Sequence, residues 1–222
     1  MTNRLLNLYQ YVAPVVLAPL SFWLWWQTYH GDIRLVLLAW LLPVLYAYIV
    51  PAVGTNVLKV WEFDTRFKLG RFRPQHGFVF GSSTALFTWL CHFDTAGSVM
   101  DVIKYALVLA SVLGFWNIIY DIKAIKSGLL KVYNQPWAER QGAEAITMDY
   151  APWFFAGFGA MYGAGLAGAE ILLARGMLSN GQYVGYFLLV LVTSMLVPVL
   201  GYRARSFKLH GHSGCKPVAR QD

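Results

Sequence analysis

The sequence predicts an all-α integral membrane protein, a bundle of six transmembrane helices with both termini cytoplasmic. Three observations carry that expectation. First, 57% of the 222 residues are hydrophobic and only 13% are charged, against about 45–50% and 25% in a soluble domain. So little charge does not cover a water-facing surface of this size. Second, six apolar stretches approach the roughly 20 residues a spanning helix needs; they cover 12–29, 33–53, 77–93, 103–120, 151–174 and 183–202. Third, charge alternates from loop to loop, as it does when cytoplasmic loops collect Lys and Arg.

The first stretch reads as a retained span. One Arg precedes it, and no small-residue cleavage pattern follows it. Trp23, Trp25 and Trp26 suit an interfacial belt. Pro14 and Pro19 fall in this span, Pro43 and Pro51 in the second, Pro198 in the sixth; each is expected to kink its helix. The third stretch is the weakest, being short and carrying Ser82, Ser83, Thr84 and Thr88, so a re-entrant segment is its alternative. The fifth is rich in Gly and Ala. Gly159 and Gly163 form a GxxxG, and Ala160, Ala164 and Gly168 repeat every four residues. Such spacing lets helix backbones approach closely, which predicts a central position in the bundle, with a homo- or hetero-oligomer interface as the second reading. A single transmembrane domain over 1–205 is expected, followed by a basic, disordered cytoplasmic tail over 206–222.

Six spans place 15 of the 18 basic residues on one side: Arg4, the loop from Lys59 to Arg73, the loop from Lys123 to Arg140, and the end from Arg203 to Arg220. That side carries +8 and the other −1. The net charge of +7 is therefore a topology signal directed at anionic headgroups, and calls for no nucleic acid. Dropping the third span destroys the partition. The orientation predicts an inner, bacterial-type cell membrane. Cys91 and Cys215 fall on opposite sides, which excludes a disulfide between them.

Outer loops are short, so groups able to do chemistry concentrate at the inner boundary. In the segment 61–76, basic residues alternate with aromatics. Beside a membrane, Arg66, Lys68, Arg71 and Arg73 are candidates to hold the phosphate of a substrate headgroup. His76 opens the third span with Ser83 on the same face. Asn117 and Asp121 share a face at the inner end of the fourth. Asp149 precedes the fifth and is also a candidate helix cap. Ser83 and Asn117 are polar residues within spans, and His76 with Asp121 or Asp149 is a candidate acid–base pair. His30 and His92 both fall at the outer face, and Glu170 lies about one turn before Arg175. No metal or cofactor signature is present, and His210, His212 and Cys215 read as tail residues. These features favour a membrane enzyme acting on a lipid, isoprenoid or other hydrophobic small molecule. A small-solute transporter or a non-catalytic assembly subunit are the alternatives.

Overall fold

The computed structural model describes residues 2–220. It is 74% helix and 4% strand. Its helices are α1 (Thr2–Val12), α2 (Ala18–Thr28), α3 (Ile33–Ala52), α4 (His76–Leu90), α5 (Val99–Lys126), α6 (Gln135–Ala138), α7 (Ala143–Ala151), α8 (Phe158–Ala174) and α9 (Asn180–His210). Short π-helical turns at Ala13–Leu17, Val53–Val57 and Pro152–Gly157 join several of them end to end. Among the described residues five continuous helices are long and apolar enough to cross a membrane: Arg4–Thr28, Ile33–Val57, Val99–Lys126, Ala143–Ala174 and Asn180–His210. This is the architecture of an all-α integral membrane protein.

Two of the expected prolines act through these turns: Pro14 lies in the first and Pro51 just before the second, while Pro152, not among those expected, opens the third and Pro19, Pro43 and Pro198 sit within α2, α3 and α9. A proline lacks the N–H and crowds the preceding turn; a turn widened to i→i+5 relieves both and keeps the helix running. Apolarity marked only the middle of each helix. The ends extend further wherever a cap supports them. Ser98 and Asp101 form a capping box that starts α5, Ser179 and Gln182 one that starts α9, and Gly211 in the left-handed region closes α9.

Helix length sets one of the six stretches apart. The third stretch becomes α4, with 15 residues and about 22 Å of rise, short of the other five. It is nonetheless packed along its whole length. Tyr9 donates to Val79 O at 3.1 Å near one end, and Trp89 Nε1 to Thr28 Oγ1 at 2.9 Å near the other. Trp25 Nε1 reaches Ala85 O between them at 3.0 Å. α4 therefore runs beside α1 and α2 in the same direction, and antiparallel to α3. Gly81 makes the α3 contact possible, since a Cβ there would stand 2.5 Å from Val44 Cα.

The small residues of α8 are used within the chain. A Cβ on Gly159 would meet Leu109 O at 2.5 Å, and one on Gly163 would meet Tyr105 O at 2.9 Å, both on α5. On another face Gly165 abuts Val190 of α9. The GxxxG thus seats α8 against α5.

Two further features depart from the sequence expectations. The two long polar loops are tied by an antiparallel ribbon of β1 (Trp61–Phe63) and β2 (Leu130–Val132), with Glu62 opposite Lys131. The tail does not extend freely. α9 continues to His210, Val218 N–H bonds Tyr133 O at 2.9 Å, and Arg220 lies over the Trp137 ring. Short polar segments like these carry too little periodicity to announce themselves.

At the opposite end of the bundle, Glu170 is buried and accepts from Tyr29 Oη at 2.6 Å and Ala96 N–H at 2.7 Å, while His92 Nε2 lies 2.6 Å from its Oε1. The expected neighbours are elsewhere. Arg175 reaches Gly97 O at 3.4 Å, and His30 sits in a left-handed turn. Glu170 therefore pins the 91–98 loop to α8. Removing one member of a buried charged network typically costs about 3–5 kcal/mol. Glu170→Ala is expected to lower the thermal unfolding midpoint in detergent strongly, and Arg175→Ala to leave it nearly unchanged.

Candidate functional site

A cavity of about 260 Å³ opens in the half of the bundle that holds the β1–β2 ribbon. Its polar end is assembled by one turn. Asn56 Oδ1 accepts from Arg71 N–H at 2.8 Å and Asn56 Nδ2 donates to Leu69 O at 3.2 Å, clamping the chain where Gly70 takes a φ of +64°. Leu69 and Phe72 pair their backbones, and Phe72 is buried among Phe63, Tyr48 and His76. The turn swings Arg73 inward, and His76 N–H then bonds Arg73 O at 3.0 Å as α4 begins.

Arg73 is fully buried. Its Nε donates to His76 Nδ1 at 3.0 Å and its Nη2 to Tyr120 Oη at 3.2 Å, while the guanidinium stacks 4.8 Å over Phe63. Its Nη1 has no partner. Asp121 lines the same cavity, with Oδ2 accepting from Tyr150 Oη at 2.6 Å. The remaining wall is apolar and aromatic, including Tyr46, Phe80, Trp116 and Phe155.

Five of the nine residues expected from the sequence thus line one cavity: Arg73, His76, Ser83, Asn117 and Asp121. They are not equivalent. Ser83 donates to Val79 O at 2.9 Å and touches Tyr9 Oη, and Asn117 donates to Leu113 O at 2.8 Å. Bonding a carbonyl four residues back is how a polar side chain satisfies itself on a helix, so these two shape the wall. Arg73, His76 and Asp121 are the members that present chemistry.

The other four lie elsewhere. Arg66 is exposed on the loop. Lys68 pairs with Glu62 at 3.3 Å, and Arg71 donates to Lys59 O at 3.1 Å and lies over the Tyr133 ring. The Tyr133 hydroxyl, aided by Lys68, holds the Glu62 carboxyl below its usual range. Phe63, Phe72 and Arg73 turn inward, while Phe67 and these charges face outward or lie along the loop surface. Asp149 also leaves the candidate pair. It is internal to α7, where Gly142 occupies the cap, so it does not cap the helix. Asn134 Nδ2 bonds its Oδ2 at 3.0 Å, Tyr202 Oη lies 3.4 Å from the same oxygen, and His210 Nε2 lies 3.0 Å from Oδ1. Asp149 is the post to which α9 and the tail are tied. The residues that sequence reasoning missed are Tyr120 and Tyr150; each adjoins a singled-out acid in sequence and resembles an interfacial aromatic until its partner is known.

No family model, curated protein or solved structure matches this chain. The class that fold and site define is a helical membrane protein with a polar-ended apolar cavity.

Asp149→Ala is expected to free the tail. Trypsin should then cut after Lys208 at least several-fold faster than in the wild-type protein. Mass spectrometry of the fragments checks this, with His76→Ala as the variant that leaves the tail in place.

Proposed function

We propose that the chain is a multi-pass membrane enzyme acting on a lipid, isoprenoid or other amphipathic substrate at the cytoplasmic boundary of a cell membrane. In this reading α4 is a sixth crossing, both termini are cytoplasmic, and the cavity lies in the inner half. The partition of basic residues supports the orientation, and the packing of α4 from Val79 to Trp89 along α1 and α2 supports the crossing. One observation carries the enzymatic reading: Arg73, His76 and Asp121 converge on the end of a cavity otherwise lined by apolar and aromatic side chains.

The chemistry follows from the hydrogen bonds. Arg73 only donates, so His76 Nδ1 must accept from it. The imidazole is then neutral, with its proton on Nε2. His76 is thereby an electrophilic donor that polarises a substrate oxygen. Asp121, oriented by Tyr150, supplies the carboxylate that takes a proton. A carboxylate base opposite a neutral imidazole donor is a recurring pattern for moving protons on oxygen-bearing substrates. A transporter requires a path to the outer face. Here fully buried Leu109, Leu113, Phe158 and Tyr162 fill the core beyond the cavity, with Phe158 stacked 4.0 Å from Tyr46.

Two experiments test this reading. In a chain with Cys91 and Cys215 changed to Ser, an impermeant maleimide applied to intact cells should label Ile33→Cys and Gly97→Cys but not Glu139→Cys. Labelling of Glu139→Cys with protection of Gly97→Cys sinks the sixth crossing. For activity, lipid extracts are compared by mass spectrometry between cells lacking the chain and cells complemented with each variant. His76→Gln and Asp121→Asn are expected to reduce the wild-type product by about 10²–10⁴-fold at normal abundance. A wild-type profile from both variants refutes the enzyme.

A further inference from the structure

At the polar end of the cavity three donors have no acceptor among the described residues. Arg73 Nη1 is buried and unbonded, with Nε and Nη2 already committed. Tyr120 accepts from Nη2, so its own O–H is free, and no acceptor faces it among the described residues. His76 Nε2–H makes no hydrogen bond among the described residues either. Among the described residues no carboxylate lies within ion-pair distance of Arg73, although it is 0% exposed. Asp121 shares the cavity, but its bonded oxygen is held by Tyr150.

A buried charge with an orphaned N–H costs stability unless something completes it. Packing does not require a guanidinium here, because the surrounding wall is apolar. The missing component is an oxyanion. The rest of the cavity fixes what is attached to that oxyanion. At about 260 Å³, it exceeds the roughly 150 Å³ that admits benzene, and its aromatic lining offers no further charge partner for a polar molecule.

We infer that Arg73 Nη1 and the Tyr120 hydroxyl bind an anionic oxygen group, phosphate or carboxylate, of an amphiphile whose apolar tail lies along Tyr46, Phe80, Trp116 and Phe155. The inference rests on the cavity being the working site proposed above, and it names the substrate class. The anion sits beside His76 Nε2–H and Asp121, which act on the neighbouring part of the same molecule. Arg66, Lys68 and Arg71 take no part, because they lie on the solvated side of the loop.

The test uses the full chain in phosphatidylcholine nanodiscs, titrated with dodecyl phosphate, dodecanoate, dodecanol and inorganic phosphate. Tryptophan fluorescence (Trp61 and Trp116 line the cavity) and thermal shift report binding. Dodecyl phosphate or dodecanoate should give a saturable response, and dodecanol none at the same membrane concentration. Arg73→Met should weaken binding by at least about thirtyfold, the effect of removing one partner of a buried charge pair. Arg73→Lys should fall between, and Arg71→Met should match the wild type. If Arg73→Met does not fold, the wild-type contrast between dodecyl phosphate and dodecanol decides alone.

Equal binding of dodecanol, or undiminished binding by folded Arg73→Met, overturns the inference. Inorganic phosphate binding as tightly as dodecyl phosphate overturns its apolar part. Displacement of dodecyl phosphate by phosphatidic acid added to the nanodisc assigns the anion to a lipid headgroup; failure to displace assigns it to a free amphiphile, and both keep the inference. Loss of anion selectivity while His76→Gln and Asp121→Asn remain inactive refutes the anion site alone. Anion selectivity with both variants fully active refutes the enzyme alone.

Discussion

A guanidinium held inside an apolar bundle is the constraint around which the ribbon-bearing half of this protein is arranged. Arg73 is drawn in by the Asn56 clamp on the 69–71 turn, and its donors then fix their surroundings. They set the imidazole tautomer of His76 and take up the oxygen of Tyr120. The face of Phe63 covers the charge at 4.8 Å, and that places β1 against the cavity. β2 follows through its ladder with β1. The ribbon, the start of α4 and the C-terminal end of α5 are thus held together by satisfying, almost completely, one buried cation.

Bundle geometry supplies the room for this arrangement. Glycines at 81, 159 and 163 let α3 approach α4 and α8 approach α5 at backbone distance. In a membrane, where lipid competes equally for apolar contacts, close packing of small residues substitutes for the hydrophobic effect between helices. The π-helical turns lie where Pro14, Pro51 and Pro152 interrupt long helices, and Pro51, Phe154 and Phe155 from these regions line the cavity.

Much of this was legible in the sequence, unevenly. Long apolar stretches announced the five long helices because hydrophobic length is a local property. Their ends were missed by several residues, since caps such as Ser98 and Ser179 act beyond the apolar window. α4 was placed correctly along the chain, but its 15 residues fall short of a full-length span. His76, Asp121, Ser83 and Asn117 were found through helical spacing and share the cavity. Asp149 was equally conspicuous and belongs to the tail anchor, because the sequence does not show that α7 continues into α8 and turns that carboxylate toward His210.

The sequence by itself determined the membrane character, the alternation of charge between loops and the central place of the glycine-rich helix. These follow from composition and from periods of three to four residues. Only the tertiary structure decided which of four neighbouring cations matters. Arg66, Lys68, Arg71 and Arg73 are alike in type and lie within eight residues. Which of them is buried depends on a left-handed glycine turn and an asparagine 17 residues before Arg73. The physical reason is that burial of a charge is settled by long-range packing, and side-chain chemistry alone does not encode it.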